Sequence, residues 1–295
     1  QLGVPAVVAG VPNIVLVVPP IPGGNGEVDP AVLVICRLLG ITQVFRINGP
    51  AGIAALGFGT ESIPKVRKVV GPGSPAVTLA QVEMQRHGLA TMMLLGPTES
   101  LVVADDTAHV GRLASDLLIE AEHGTDSSVV FVCTSEDIND AVENELQIQI
   151  GDLPANRAEA CRASLGDNGG AILVTSLAEA IEVANVYAPE HCQVAVSAQD
   201  EEKVVDGIIN AGEILIGQHT PFSAGNFVIG VPASLPTSGF AHVSSGITVN
   251  AFLKHTAIAK ANETALRRMA PTVLALSDHE GFPAHGNAIR RRFPE

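Results

Sequence analysis

Four side chains in two short stretches have types and spacing that suit chemistry. Glu120 and His123 stand three apart in an apolar-periodic run over 110–122, so on a helix both project from one face. A carboxylate and an imidazole so placed form a common half-site for a first-row metal ion. The same spacing also describes a solvated helix face whose histidine sits near the C-terminus, where the dipole favours it. Glu190 and His191 are adjacent, directly after Ala188-Pro189. An acid and a base side by side can divide proton transfers between two steps of a reaction. Neighbours on a regular helix point apart, so this pair must sit on a loop to cooperate. An ordinary polar loop is the alternative.

Two glycine-bearing turns, Gly49-Pro-Ala-Gly52 and Gly71-Pro-Gly-Ser74, each follow a strand-like run and open a helix-like one. Backbone amides at such a place can receive a pyrophosphate. Neither turn matches GxGxxG, and plain tight turns explain the glycines equally well. The chain holds no GxSxG elbow, Walker loop or HExxH motif. His219, His242, His255 and His279 have no partner at ligand spacing and read as surface or capping residues.

The elements that must position these residues alternate. Short apolar runs over 13–18, 42–47, 66–70, 92–95 and 101–104 read as buried strands. Between them, Asp29-Pro30 and Ser74-Pro75 are N-cap and first-turn pairs, and Gly40 ends the first of these helices. A helix over 110–122 leads to a second alternating block. Its strands fall over 129–133, 171–175, 193–196 and 213–216, and its helices over 138–148, 157–165 and 177–186. After Gly239 the rhythm stops, and helices are expected over 257–277 and 284–292. The expected class is α/β: two incomplete Rossmann-like, doubly wound blocks plus a helical C-terminal tail. The expected divisions are 1–107, 108–238 and 239–295.

Composition supports buried parallel strands. Of the 295 residues 46% are hydrophobic and only 3% aromatic, with no Trp and a single Tyr, Tyr187; aliphatic strands covered on both faces have this character. The net charge of −14 argues against a phosphate-tracking surface, and Arg290 to Arg292 is the one basic block, so no nucleic-acid partner is expected. No apolar run reaches the length of a membrane helix. Cys36, Cys133, Cys161 and Cys192 lack metal-finger or CxxC spacing, which fits a reducing, cytoplasmic compartment.

An ordered string of short motifs resembles the histidinol dehydrogenase family. It comprises Ala54-Ala-Leu-Gly-Phe-Gly-Thr-Glu-Ser-Ile-Pro-Lys-Val66, Gly71-Pro-Gly73, Gly96-Pro-Thr-Glu99, Val103-Ala-Asp105, Asp116-Leu-Leu118, Ala121-Glu-His-Gly124, Ala188-Pro-Glu-His191, Leu235-Pro-Thr237, Ser244-Ser-Gly246 and Ala284-His285. The resemblance implies a two-step oxidation of a primary alcohol through an aldehyde to a carboxylate, L-histidinol to L-histidine, with two NAD reduced in turn and Zn2+ holding the substrate. It places metal ligands at Glu120, His123, Asn226 and His285, and the acid–base pair at Glu190 and His191. It places substrate contacts at Thr98 and Glu280, with Glu120 and His123 also facing the substrate, and dinucleotide contacts at Gly52 and Ser74. It implies a homodimer in which the C-terminal ligand and its neighbouring glutamate come from the partner subunit. In that scheme His191 takes the alcohol proton as hydride leaves, and Glu190 activates the water that adds to the aldehyde.

The chain departs from the family pattern at several of these places. The family usually has glutamine where Glu120 stands and aspartate where Asn226 stands, so one amide and one carboxylate remain in exchanged positions, and metal binding is expected to survive. Ala233, in Val231-Pro-Ala-Ser-Leu-Pro-Thr237, replaces a substrate-facing histidine. Gly52 and Ser74 replace a glutamine and an asparagine. Val228-Ile-Gly230, Glu280-Gly-Phe282 and His285-Gly286 look closer to a relative, sulfopropanediol dehydrogenase. Two alternatives therefore stand beside the histidinol reading: the same chemistry on another small diol or amino alcohol, and an inactive binding protein that keeps the fold. The family's N-terminal segment is not seen in this sequence, and a partial sequence is the expectation, with exposed apolar surface on the second block as its consequence.

Overall fold

Short apolar runs bounded by turn residues become parallel strands in the computed structural model, which describes residues 1–92 and 96–293. Among the described residues thirteen positive-φ glycines mark the punctuation; Gly40, with φ 70°, closes the helix Pro30–Leu39 in the left-handed conformation, where any Cβ would be strained. Among the described residues no helix is long and apolar enough to cross a membrane.

The first stretch runs α1 (Gly3–Val8), β1 (Val15–Val18), α2 (Pro30–Leu39), β2 (Gln43–Arg46), α3 (Gly49–Phe58), β3 (Lys68–Val69), α4 (Pro75–Gln85) and β4 (Ala90–Thr91). Asp29 caps α2 through a bond from the Ala31 amide, with Pro30 at the first position. The expected alternation is present, but β1 pairs with β2 and β3 with β4 as two separate parallel pairs among the described residues. The strand expected over 92–95 falls largely on residues 93–95, outside the described residues. Ile53, Leu56, Met84 and Leu89 form the core under these pairs.

The second stretch carries a five-stranded parallel sheet. Its elements are β5 (Glu99–Ala104), α5 (Val110–Ala121), β6 (Ser128–Cys133), α6 (Glu136–Gly151), α7 (Ala155–Arg162), β7 (Gly170–Leu173), α8 (Leu177–Tyr187), β8 (His191–Ala195), α9 (Glu201–Gly207) and β9 (Glu213–Ile216). The spatial order β7-β6-β5-β8-β9 is the doubly wound order, with its switch point between β5 and β8. Sequence reading grouped β5 with the first block. Instead it is the central strand here, paired to β6 on one side and β8 on the other. Its residues Leu101 to Ala104 are fully buried, the signature of a strand covered on both faces. One face packs Val102, Val129, Phe131 and Leu215 against Leu113 and Leu117 of α5 and Val142 of α6. The other packs Leu101, Val103, Val132 and Val194 against Ala180 and Ala184 of α8 and Val204 of α9. The edge strand β7 leaves Ile172 and Leu173 exposed.

After β9 come a short helix α10 (Phe222–Ala224) and a five-residue π-helical turn, Gly225–Ile229. The expected tail from 239 does not begin there. Residues 239–253 belong to the larger unit, Gln1–Leu253: Ile247 and Ala251 are buried beside Leu2, Val70 and Phe252, and Lys68 Nζ donates to the Ala251 carbonyl at 2.6 Å. The smaller unit, Lys254–Glu295, holds α11 (Glu263–Glu280) and α12 (Pro283–Arg290). The helix expected over 257–277 starts later because Asn262 caps it, accepting from the Ala265 amide. Gly281, with φ 71°, ends it, and Ser277 Oγ bonds the Phe282 carbonyl to fix the turn between the two helices.

Candidate active site

The helix α5 and the strand β8 meet in step. Asp116 and Glu120 are four apart on the buried stripe of α5, and His191 and Gln193 are two apart on the face of β8 that meets it. Four residues of helix rise about 6 Å and two of strand about 6.6 Å, so the two polar pairs lie side by side. Asp116 accepts from Gln193 Nε2 at 2.7 Å. One turn on, Glu120 Oε2 lies 3.9 Å from His191 Nε2.

Glu120 is the centre of a cluster. Its side chain has 0% exposure. Oε1 accepts a bond from Asn226 Nδ2 at 2.8 Å. Oε2 lies 3.5 Å from His123 Nε2 and is a buried oxygen without a hydrogen-bond partner. Asn226 reaches Glu120 from the π-helical turn after α10, a widened turn of the kind often found at functional sites. Thr98 Oγ1 stands 3.2 Å from His123 Nδ1, where a hydroxyl can accept an Nδ1–H, the tautomer that would free Nε2 for a metal ion.

Glu190 and His191 reach the same place from the turn between α8 and β8. Ala188 ends α8 with φ 53°, a left-handed conformation uncommon for a residue with a side chain. That turn leaves Glu190 on a bend and makes His191 the first residue of β8. The pair escapes the divergence of helical neighbours: His191 Nε2 is 3.7 Å from Glu190 Oε1. Glu190 Oε2 accepts the Glu99 amide at 3.2 Å. Burial pushes the Glu190 carboxyl up to about 7; the neighbouring imidazole and the Glu99 amide pull it down, while Glu120 and Glu99 push it further up. His191 is also raised. Burial opposes its charged form, but the bond to Glu213 and the charges of Glu120, Glu190 and Glu213 outweigh that cost.

Six of the residues singled out from the sequence are thus brought together: Thr98, Glu120, His123, Glu190, His191 and Asn226. Four are not. Glu280 ends α11 and His285 lies on α12, both exposed in the smaller unit, where the His285 ring stacks on Phe282 at 5.2 Å. Gly52 and Ser74 lie at the starts of α3 and α4. Gly52 is buried, and a Cβ there would meet Ile47 at an ordinary 3.6 Å, so no close approach requires glycine. At this helix start the Gly49 amide is already held by Asn48 Oδ1 and Pro50 has none to offer. Ser74 is exposed and its hydroxyl makes no capping bond; at Gly73 a Cβ would sit 2.4 Å from Val77, so bare backbone lines this turn.

Sequence reading missed two acids. Glu99 opens β5; its Oε1 accepts from the Ser238 amide at 2.9 Å, and burial raises its carboxyl. Glu213 opens β9 and lies 2.5 Å from His191 Nδ1. The available signal was a charged residue at the mouth of an otherwise aliphatic strand, a costly choice unless something uses it.

The cluster lies at the amino ends of β5, β8 and β9. Ligands of open α/β sheets usually sit beyond the carboxyl ends at the switch point. Here that crevice is bridged by Asp105, which accepts the Ser197 amide at 2.7 Å and the Thr107 amide at 3.0 Å. Among the described residues no three His, Cys, Asp or Glu side chains are gathered to hold a metal ion. Glu120 and His123 nonetheless form a donor pair around an unpartnered buried oxygen, with the Asn226 amide beside them, so the residues fit one side of a metal's shell.

Comparison with known proteins covers nearly the whole chain. The family model described as "Histidinol dehydrogenase" matches residues 1–293. A histidinol dehydrogenase of Synechocystis sp. is 41% identical over 293 residues, covering 99% of this chain and 66% of that protein. One of Bacteroides fragilis is 38% identical over 295 residues, covering 100% of this chain and 67% of that protein. The crystal structure of histidinol dehydrogenase from Elizabethkingia anophelis superposes with a TM-score of 0.94 at 35% identity, over 99% of this chain and 66% of that one. The chain spans about two thirds of the length of the curated relatives it matches.

Proposed function

The chain belongs to the histidinol dehydrogenase family, and on that premise we propose that it oxidises L-histidinol to L-histidine with NAD as hydride acceptor and Zn2+ at Glu120. The observation that carries the reading is the buried meeting of Glu190, His191 and Glu120, with one Glu120 oxygen left unpartnered beside His123 Nε2. Isolated buried carboxylates are costly, and a cation held by Glu120 and His123 would offset that cost.

Glu120, His123 and Asn226 would hold the zinc, together with His285 supplied by a second copy of the chain in a homodimer; bound there, the metal would anchor the substrate and polarise its oxygen. His191 would remove the alcohol proton through Nε2; NAD, when bound, would supply the hydride acceptor. The Glu190 carboxyl, with a value of about 7, is poised near neutrality, where a base for water addition to the aldehyde works best. Thr98 would contact the substrate, with Glu280 supplied alongside His285 by the second copy, and the turns at Gly52 and Ser74 would receive the dinucleotide. The expected partner is therefore a small amino alcohol. Four free and buried cysteines suit a cytoplasmic setting.

The metal assignment has a direct test. In zinc titration of the folded chain, His123→Ala is expected to weaken the tight site at least about 10- to 100-fold. An unchanged isotherm would remove His123 from the ligand set.

A further inference from the structure

The Glu213 carboxylate has a built place. Parallel pairing sets His191 of β8 directly across from Glu213 of β9, so both side chains leave the same face of the sheet. The start of β9 is tied to the segment that carries Glu190, through the Gly212 amide to the Pro189 carbonyl at 2.9 Å and the Glu213 amide to the Glu190 carbonyl at 3.1 Å. His191 and Glu213 are both buried, with 4% and 3% side-chain exposure. Gly225 lies beside the carboxylate; a Cβ there would meet its two oxygens at an ordinary 3.4 and 3.5 Å and Leu215 Cδ1 at a tighter 3.0 Å. Phe222 meets the imidazole edge-on at 5.7 Å.

We propose that Glu213 is a positioning residue for His191, holding its ring with the proton on Nδ1 and the bare Nε2 turned toward Glu120 and Glu190. This rests on the reading of His191 as the base that takes the alcohol proton. An ionised carboxylate only accepts hydrogen bonds, so at 2.5 Å from Nδ1 it selects the Nδ1–H tautomer of the neutral ring. The opposite nitrogen is then free to accept. The carboxylate also stabilises the imidazolium formed once the proton has moved, the division of labour seen in catalytic triads. Sequence spacing alone gave no hint of this, because the partners are on different strands.

The test uses nitrogen NMR of the full chain labelled at histidine, in the pH range where the His191 ring is neutral, beside steady-state kinetics. The parent is expected to show a protonated Nδ1 and a bare Nε2. Glu213→Gln keeps the shape but presents either an amide donor or an oxygen, so the ring should populate both tautomers. Glu213→Ala removes the partner altogether. Both variants should lose kcat about 100-fold with KM changed less than about threefold. If the alanine variant fails to fold, the glutamine variant decides. A parent ring protonated on Nε2, or variants with the parent tautomer and kcat, would overturn the assignment. Should the parent turn over no alcohol, the activity reading fails, while the tautomer measurement still decides whether Glu213 sets the ring.

Discussion

Replacing Glu190 with glutamine is expected to slow conversion of the aldehyde to the acid by about 10²- to 10⁴-fold, the usual worth of a positioned general base, while making the metal-free fold more stable above neutral pH. The second effect follows from burial. The Glu190 carboxyl is raised from 4.5 to about 7, so between those values the folded chain holds a proton that the unfolded chain has released. Stability then falls as pH rises from about 4.5 through 7, and the deficit is complete above 7. A shift of that size corresponds to about 3 kcal/mol. Glutamine cannot ionise and carries no such deficit. Urea unfolding of metal-free protein should show parent and Glu190→Gln alike near pH 4, with the variant ahead by up to about 3 kcal/mol at pH 8. Equal stability at both pH values would mean that Glu190 is not desolvated as the structure has it. A gain in stability on losing a catalytic group is the expected mark of a strained site.

Asn226→Asp is expected to destabilise the metal-free fold by about 2–4 kcal/mol at pH 8. The Asn226 amide now donates to Glu120 at 2.8 Å. An aspartate there offers a second carboxylate in place of the donor, against a side chain with no solvent exposure, and two like charges at that range cannot both remain ionised cheaply. Glu120→Gln combined with Asn226→Asp restores one donor and one acceptor with the roles reversed. The double variant should therefore recover to within about 1 kcal/mol of the parent, a strong coupling in a double-mutant cycle. Saturating zinc should narrow the loss in the single variant, since added negative charge favours a bound cation. Additive effects in the cycle would show that the two side chains do not share one site.

These two predictions concern residues that differed in how legible they were. Glu120 and His123 could be paired from a spacing of three on an apolar-periodic helix, because one helix sets their geometry. Glu190 and His191 could be paired by adjacency, with the condition that a turn carry them, and Ala188 at φ 53° supplies that turn. Asn226 had no local signal at all: it reaches Glu120 across 106 residues of chain from a π-helical turn, and only the family resemblance singled it out. Glu213 stayed hidden for the same reason, since its partner lies across a β8–β9 pairing that no periodicity reveals.

The fold shows a parallel contrast. Strands and caps were readable where local chemistry decides them, as at Asp29-Pro30, Gly40 and the aliphatic run of β6. Sheet membership was not, because β5 follows the first block in sequence but hydrogen-bonds to β6 and β8. Its burial on both faces was visible in the run Leu101 to Ala104, yet nothing local says which sheet buries it. The start of the tail was placed too early for a related reason. Residues 239–253 lack regular rhythm, but Ile247 and Ala251 bury themselves against the larger unit, a tertiary contact without a periodic signature.

The most direct test of the proposed chemistry is NADH formation by the purified, zinc-loaded chain given L-histidinol and NAD, compared with His191→Ala. Two NADH per histidinol, with a rate that falls about 10²- to 10⁴-fold in the variant, is the predicted result. Equal rates in the two proteins would contradict the role given to His191, and turnover of sulfopropanediol with none of histidinol would contradict the substrate.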